Sequence, residues 1–193
     1  MKLMVLLLAY LLGSLPSGYL AGRWCAGIDL RSLGSGSTGA TNVLRHVGKG
    51  PALVVLLVDV FKGAAAVLLA GQLLGTSAHW WLVAAGLAAL AGHIWPIWLG
   101  WKGGKAVATG LGMLLGLAPA VGLACLGLFL TCLAISLIVS LSSLVAALSL
   151  PLLMLAAAAP QAYVALGVLA ALLVIWRHRS NISRLLAGTE PRL

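Results

Sequence analysis

Long apolar stretches make up most of the chain, and polar residues are concentrated in the short segments between them. Four stretches are mostly apolar, namely residues 3–22, 52–74, 80–99 and 106–176. A helix of about 20 residues crosses a lipid bilayer, so each stretch is long enough to span one. The pattern therefore predicts an all-α, polytopic integral membrane helix bundle.

The composition and the placement of charge agree with that fold. Hydrophobic residues make up 62% of the 193 residues and only 8% are charged, whereas soluble domains have about 25% charged residues. Although the formal net charge is +9, ten of the twelve Lys and Arg residues lie within residues 23–49, 102–105 and 177–192. Basic residues concentrate in cytoplasmic loops, so these segments should face the cytoplasm. We expect a lipid bilayer partner and no nucleic-acid partner.

The last apolar stretch decides how many spans are expected. It holds 71 residues between two cytoplasmic basic segments, which requires two or four crossings. Pro119, Pro151 and Pro160 are predicted breaks within it. The total is five or seven spans, with the N-terminus outside and the C-terminus in the cytoplasm. In the first stretch, Pro16 among small residues predicts a kink or close helix packing.

Residues 34–45, GSGSTGATNVLR, form the first glycine-rich segment. Glycine lets the backbone approach a ligand closely, and successive N–H groups, hydroxyls and a guanidinium bind phosphate oxygens. The segment predicts a phosphate-binding loop, and the alternative is a flexible polar linker. Its candidate site residues are Gly34, Ser35, Gly36, Ser37, Gly39, Thr41, Asn42 and Arg45.

A second candidate anion site is Lys102-Gly103-Gly104-Lys105, which we call the lysine–glycine segment. It lies at the start of an apolar helix, where backbone N–H groups carry a partial positive charge. It is not a nucleotide P-loop, because only three residues separate Gly100 from Gly104 and Ala106 follows the second lysine. His93, in the preceding Gly-His-Ile-Trp-Pro motif, belongs to the same cluster. The alternative is an interfacial lysine pair.

A third cluster, near the C-terminus, contains His178 and Asn181. These residues are three apart, so they share a face if the segment is helical. The imidazole is a candidate hydrogen-bond donor or acceptor. The alternative is a basic tail next to the membrane.

Charged residues within the second apolar stretch form a separate prediction. Asp59 and Lys62 are at helical spacing for an ion pair. Such a pair within the membrane has either a functional role or a structural role in bracing the helices. The chain has only three carboxylates, Asp29, Asp59 and Glu190, too few for the acidic cluster that holds magnesium. We therefore expect no metal and no other cofactor. The His-x4-Asp pair that is typical of one class of acyltransferases is also absent.

Several motifs in order resemble the acyl-phosphate:glycerol-3-phosphate acyltransferases of bacterial inner membranes, the PlsY family. The resemblance covers nearly the whole chain. The motifs are GSLPSGYLAGR with DLRSLGSGSTGATNVLR, then DVFKG, then GHIWPIWLGWKGGKAVATGLG, and finally HRSNISRLLAGTEPRL. Two positions depart from the family pattern. Ser37 stands where the family usually has asparagine, and Ala106 replaces a usual glycine.

The resemblance implies seven spans, one transmembrane acyltransferase domain over residues 1–193, and a multi-pass inner-membrane enzyme whose active site faces the cytoplasm. It implies acyl transfer from acyl phosphate to the sn-1 hydroxyl of glycerol 3-phosphate, without coenzyme A or a carrier protein. The expected catalytic residues are Ser35, Arg45, Lys105, His178 and Asn181. The remaining candidates of the first glycine-rich segment, with Lys102, Gly103, Gly104 and His93, are expected to bind substrate. Asp59, Lys62 and Glu190 are expected to be structural.

A different function class remains open from the residues alone. A small transporter of a phosphorylated metabolite would also use cationic residues to bind its anion. Transporters often show paired halves with broken helices and a site near the membrane midplane. No repeat is evident here, and the polar clusters are predicted at one face of the membrane.

Overall fold

The computed structural model describes residues 1–193, and its regular structure consists of ten α-helices and two short 3₁₀ turns. The helices are α1 (Lys2–Gly13), α2 (Ser17–Ala26), α3 (Ala40–His46), α4 (Lys49–Leu74), α5 (His79–Ile94), α6 (Val107–Leu117), α7 (Pro119–Ser136), α8 (Val139–Ala156), α9 (Gln161–Arg177) and α10 (Arg179–Leu186). The 3₁₀ turns are Leu30–Ser32 and Ile97–Leu99.

Five helical stretches are long and apolar enough to cross a membrane, which confirms the predicted all-helical membrane fold. They are Lys2–Ala26, Lys49–Leu74, His79–Leu99, Pro119–Ser136 and Val139–Ala156. Helices α9 and α10 form a pair bent by 63°, which makes six if the pair is one span. The remaining apolar helix, α6, is shorter. The seven-span count and the outward N-terminus stay predictions.

Prolines mark most, but not all, of the helix boundaries predicted for the last apolar stretch. Pro119 is the first residue of α7, and Pro160 directly precedes α9. The predicted break at Pro151 is wrong, because α8 continues through this residue. Instead, α7 ends at Ser136, and the following residue, Leu137, has a left-handed φ of 57°. A single proline removes one helical hydrogen bond, a loss that membrane helices tolerate.

The predicted interruption of the first span is present between α1 and α2. Helix α1 ends at Gly13, and Pro16 directly precedes α2. The side-chain ammonium of Lys62, on α4, donates to the main-chain oxygen of Leu15 at 3.0 Å. The break in the first span is therefore held by a hydrogen bond from a buried charged residue.

The chain divides into two compact units, residues Met1–Leu117 and Ala118–Leu193. In the first unit, α4 packs against α1, α5 and α6. The contact between α4 and α6 is close at Gly63 and Gly112, where an added Cβ would overlap the backbone of the facing helix. Small residues of this kind let membrane helices approach without a hydrophobic driving force.

In the second unit, α8 packs against both α7 and α9. The C-terminal tail returns to the connection between α7 and α8, where the Leu193 amide donates to the Leu137 carbonyl at 2.8 Å. The tail places Glu190 beside Ser140 on α8 and beside Asn181 on α10.

Candidate active site

The first glycine-rich segment lies over a small apolar core. Leu30 and Val43 are fully buried there and pack with Ala52 and Val55 of α4. Above this core, Gly34 and Gly36 have left-handed φ values of 54° and 65°. Since only glycine adopts these values without strain, their positions in the sequence account for the shape of the loop.

The side chain of Asn42 contacts the backbone of this loop. Its side-chain NH₂ lies 2.9–3.1 Å from the carbonyls of Leu30, Leu33 and Ser37, while its oxygen accepts the Ser35 amide at 3.4 Å. The side chain is only 2% exposed. All of these contacts are to the backbone of the loop, so the amide fixes the loop's conformation.

The remaining candidates of the first glycine-rich segment differ in exposure. Ser35 and Arg45 are exposed, and Thr41 is half-buried. Ser37 is buried, and its hydroxyl accepts the Gly39 amide at 3.3 Å. The hydroxyl of Ser37 therefore supplies a local loop contact at the position where the family usually has asparagine.

The lysine–glycine segment runs beside the end of α5. The Gly103 amide donates to the Ile94 carbonyl and the Gly104 amide donates to the His93 carbonyl, both at 3.1 Å. Lys102 is exposed and Lys105 is half-buried. Helix α6 begins two residues after Lys105, so the predicted placement at the start of an apolar helix is confirmed.

Arg31 connects the loop that carries the first glycine-rich segment to the chain that leads into the lysine–glycine segment. Its guanidinium donates to the Leu99 carbonyl at 3.2 Å and forms an ion pair with Asp29 at 2.7 Å. The hydrogen bond from Arg31 lowers the pKa of Asp29 to about 2. The carboxylate therefore stays ionised and keeps the guanidinium oriented at neutral pH.

His178 and Asn181 both lie in the second unit, at the junction of α9 and α10. His178 is the residue between the two helices, and Asn181 is in the first turns of α10. Both are buried. The His178 Nδ1 atom lies 2.8 Å from the Val174 carbonyl. Because a carbonyl only accepts, Nδ1 carries the proton of this bond, and the lone pair of the neutral ring is on Nε2.

Glu190 connects Asn181 to two other side chains. Its carboxylate accepts hydrogen bonds from Asn181, from the Ser140 hydroxyl at 2.7 Å and from the Arg184 guanidinium at 2.7 Å. Burial alone would raise the pKa of Glu190, but these hydrogen bonds and the charge of Arg184 together lower it. Glu190 thus forms an ion pair with a basic residue of the C-terminal segment.

The predicted ion pair within α4 is also present, and it has further partners. Asp59 and Lys62 are 2.8 Å apart, with side chains 1% and 2% exposed. The same Asp59 oxygen accepts the Ser17 hydroxyl at 2.7 Å and lies 3.7 Å from Nδ1 of His93. We call these four residues the Asp59 cluster.

Each of the three side-chain carboxylates in the chain therefore pairs with a cation that is close to it in the sequence. The pairs are Asp29 with Arg31, Asp59 with Lys62, and Glu190 with Arg184. No group of three or more His, Cys, Asp or Glu side chains has a metal-binding arrangement in residues 1–193.

Three residues with evident structural roles at these sites were not predicted from the sequence. Ser17 and Ser140 accompany carboxylates 42 and 50 residues away in the sequence, and Arg31 reaches a carbonyl 68 residues away. For the serines, the only signal was a polar residue next to or within an apolar stretch. For Arg31, the only signal was an opposite charge two residues away, at Asp29.

The chain matches the family model described as glycerol-3-phosphate acyltransferase over residues 3–188. It is 71% identical to the glycerol-3-phosphate acyltransferase of Synechococcus sp. (strain CC9902), covering 100% of this chain and 95% of that protein. It is 69% identical to the corresponding protein of Parasynechococcus marenigrum (strain WH8102), covering 99% and 89% of the two chains.

Two solved structures share the fold. They are crystal structures of PlsY (YgiH), an integral membrane glycerol 3-phosphate acyltransferase, in its glycerol 3-phosphate and lysophosphatidic acid forms. This chain is 38% identical to each, covers 95% of each, and superposes with TM-scores of 0.92 and 0.91 over its full length. By sequence and by structure, the chain belongs to the glycerol-3-phosphate acyltransferase family.

Proposed function

We propose that this chain transfers a fatty acyl group from acyl phosphate to the sn-1 hydroxyl of glycerol 3-phosphate. The products are 1-acylglycerol 3-phosphate, which is lysophosphatidic acid, and inorganic phosphate. Two glycine-containing cationic segments lie in one compact unit, and this observation supports acyl phosphate as the acyl donor. Two substrates with one phosphate group each require two such binding elements.

The reaction needs no covalent enzyme intermediate, because acyl phosphate is a mixed anhydride and is already activated. The glycerol hydroxyl attacks the acyl carbon, a new ester bond forms, and the bond between the acyl carbon and the phosphate oxygen breaks. The hydroxyl proton ends on the released phosphate. Positioning and electrostatic stabilisation of charge then supply most of the rate enhancement.

The phosphate groups are bound by side chains of the two segments. Arg45, Lys105 and Lys102 provide positive charge, and Ser35 and Thr41 add hydrogen bonds. Exposure supports this assignment, since Arg45, Ser35 and Lys102 are exposed while Lys105 and Thr41 are half-buried. Backbone groups at Gly34, Gly36, Gly39, Gly103 and Gly104 shape the two segments.

Asn42 acts through the loop rather than by touching substrate. Its amide contacts four backbone groups of the loop and is 2% exposed. This assignment revises the expectation that Asn42 binds substrate directly. Ser37, also buried, supports the same loop through Gly39.

His178 and Asn181 orient glycerol 3-phosphate. Fixing the Nδ1 proton on the Val174 carbonyl leaves Nε2 as the acceptor of the neutral ring, which suits a group that receives the hydroxyl proton. A phosphate oxygen of the substrate is the alternative acceptor. In the latter route, His178 only orients the hydroxyl.

A reaction without metal agrees with the available ligands. All three carboxylates of the chain are paired with Arg or Lys side chains, so none is left for a divalent cation. The positive charge that a metal would supply to the phosphates comes instead from the basic segments. Their concentration also supports an active site at the cytoplasmic face of a bacterial inner membrane.

Metal-free turnover tests the proposal. Purified protein in lipid receives palmitoyl phosphate and glycerol 3-phosphate with a chelator present, and phosphate release is compared with lysophosphatidic acid formation. We expect equal amounts of both products, and no product when palmitoyl coenzyme A or acyl carrier protein replaces palmitoyl phosphate. Turnover with palmitoyl coenzyme A alone, or only after magnesium is added, would contradict the proposed chemistry.

A further inference from the structure

One oxygen atom of Asp59 joins three helices of the first unit. It accepts the Ser17 hydroxyl of α2 at 2.7 Å and the Lys62 ammonium of α4 at 2.8 Å, and it lies 3.7 Å from the His93 imidazole of α5. Two of these partners are on helices other than that of Asp59. The hydrogen bond from Ser17 therefore ties α2 to α4, whereas His93 lies beyond hydrogen-bond distance and is close enough to sense the charge of the carboxylate.

Ser17, a member of the Asp59 cluster, is next in sequence to a residue that contacts the first glycine-rich segment. Gly18, the next residue, packs directly on the carbonyl of Thr38, and an added Cβ at Gly18 would overlap that oxygen. Thr38 is itself buried within the segment. A shift of Ser17 is thus transmitted to the backbone beside Ser37 and Gly39.

The His93 side leads to the lysine–glycine segment. The imidazole lies against Gly104, where an added Cβ would overlap Nε2, and the His93 carbonyl accepts the Gly104 amide at 3.1 Å. Thr109, fully buried on α6, holds the ring from the other side, with its hydroxyl 3.1 Å from Nδ1. The orientation of His93 therefore fixes the backbone between Lys102 and Lys105.

A small cleft marks the place where these connections meet. Its lining includes Ser17, Thr38, Lys62 and His93. Residues from the first glycine-rich segment and from α5 thus converge beside the Asp59 cluster. They are more than 50 positions apart in the sequence, as Thr38 and His93 show.

Stability alone does not account for a charged pair at this position. Burying two charges costs several kcal/mol of desolvation, and well-packed apolar residues are often as stabilising as a buried ion pair. Elsewhere in the same unit, helices pack through glycine and other small residues without charge. The ion pair is therefore better explained by the specific geometry that it imposes.

We propose that Asp59 is a positioning residue, which holds the first glycine-rich segment and the lysine–glycine segment at the separation needed to bind the phosphates of both substrates. Asp59 acts through its hydrogen bond with Ser17 on one segment and through its charge beside His93 on the other. His93 is accordingly a positioning residue rather than a substrate contact. The inference rests on the proposed function, because it assumes that both segments bind phosphate.

Mild variants that remove one hydroxyl each provide the first test. Ser17→Ala removes a hydrogen bond to Asp59, and Thr109→Val removes the contact to His93 while keeping the side-chain shape. We expect each to raise KM for at least one phosphate substrate about three- to tenfold, the effect of losing one buried hydrogen bond. Inhibition by inorganic phosphate should weaken in parallel, whereas Thr109→Ser, which retains the hydroxyl, should restore wild-type values.

Ser149→Ala is the matched control. Ser149 is a half-buried serine of α8 whose hydroxyl donates to the Val145 carbonyl at 2.9 Å, and it belongs to the second unit. It should leave KM and phosphate inhibition unchanged. If Ser17→Ala and Thr109→Val lower the thermal unfolding midpoint but behave like Ser149→Ala in KM and phosphate inhibition, the positioning role is wrong.

A double variant separates positioning from charge neutralisation. Asp59→Leu leaves Lys62 as an unpaired buried charge, and Lys62→Met in the same protein removes that charge. Because Lys62→Met also removes the hydrogen bond to the Leu15 carbonyl, the single variant Lys62→Met is the reference. If Asp59 only neutralises Lys62, the double variant will have KM values no higher than those of Lys62→Met. We expect higher KM values in the double variant, because leucine accepts no hydrogen bond from Ser17.

Direct binding of inorganic phosphate and of glycerol 3-phosphate, measured by calorimetry on the purified enzyme, separates this inference from the proposed function. If the wild type turns over palmitoyl phosphate and the variants bind both ligands as tightly as the wild type does, only the positioning role is wrong. A wild-type protein that binds glycerol 3-phosphate but does not use palmitoyl phosphate would overturn the proposed donor. The binding comparison among variants would still test the role of Asp59.

Discussion

The side-chain amide of Asn181 donates to Oε1 of Glu190, an oxygen that also accepts the Ser140 hydroxyl. Glu190 lies nine positions after Asn181, and the second oxygen of the carboxylate accepts a hydrogen bond from Arg184. A structural glutamate thus sets the orientation of a proposed substrate-binding asparagine. The carboxylate is 4% exposed, so its charge and its hydrogen bonds act in a largely dry environment.

Neutralising Glu190 should reduce both stability at neutral pH and activity. Glu190→Gln removes the ion pair to Arg184 and weakens the hold on Asn181, so we expect kcat/KM for glycerol 3-phosphate to fall about tenfold. Because the folded-state pKa of Glu190 is lowered, its stabilising contribution is present above the ordinary glutamate range, near pH 4.3. That contribution is lost as the pH falls through the folded-state value.

The pH dependence of thermal unfolding provides the measurement. Between pH 6 and pH 3, the unfolding midpoint of the wild type should fall more than that of Glu190→Gln, since only the wild type protonates this group. Ser140→Ala keeps the charge and should retain most of the pH dependence. Parallel curves for the wild type and Glu190→Gln would show that the carboxylate contributes nothing in this range.

Asn42 should be intolerant of an isosteric change. Asn42→Asp keeps an acceptor for the Ser35 amide but places a carboxylate against the carbonyls of Leu30, Leu33 and Ser37, which have no proton to donate. We expect a loss of about 2–4 kcal/mol in unfolding free energy, from lost hydrogen bonds and carbonyl repulsion. Denaturant unfolding in mild detergent measures this loss.

Thr41→Ser is a suitable companion variant for Asn42, because it changes the neighbouring residue while keeping its hydroxyl. It should unfold like the wild type. If Asn42→Asp is also as stable as the wild type, the amide does not hold the loop, and direct substrate binding by Asn42 becomes the better interpretation.

The sequence predicted the helices much better than it predicted the contacts between them. Apolar stretches and the kink near Pro16 follow from local composition, and the bilayer leaves few alternatives to a helix. Pro151 is the exception, because its break was inferred from a local rule that packing within α8 and α9 overrides. Segment boundaries were therefore predictable where the local signal and the membrane agree.

Site contacts were predictable only when the partners are close in sequence. The pair between Asp59 and Lys62 follows from i,i+3 spacing on one helix. The contacts of the same carboxylate with Ser17 and His93 depend on how three helices pack, and no spacing rule gives them. Asn42 differs, because its backbone partners are close in sequence, and it was expected to bind substrate because an amide suits a ligand contact as well as a loop contact.

Arg45 is the strongest candidate for a phosphate contact in the first glycine-rich segment. It is exposed in the last turn of α3. Arg45→Ala should lower kcat/KM by at least about a hundredfold, as expected when a group that stabilises transition-state charge is removed. Insertion and thermal stability should stay normal.

Arg23→Ala is the control for the loss of one exposed arginine near the same membrane face, and it should retain wild-type turnover. Arg45→Lys tests geometry, because lysine keeps the charge but not the bidentate fork. It should recover only part of the lost activity. Wild-type turnover by Arg45→Ala in properly inserted protein would exclude this arginine from the phosphate site.

Ala106 offers a prediction about stability, because its backbone adopts a conformation that alanine disfavours. Its φ is 60°, and it follows Lys105 at the position where the family usually has glycine. The left-handed conformation costs a residue with a Cβ about 1–2 kcal/mol, partly offset by the greater chain entropy of glycine when unfolded. Ala106→Gly should therefore raise the unfolding midpoint by about 1–4 °C.

Ala108→Gly, two residues later inside α6, makes the same change where alanine is helical and should lower the midpoint. If both variants lower it by similar amounts, the strain at Ala106 is too small to matter, and the family glycine requires another explanation, such as close approach of substrate to the backbone.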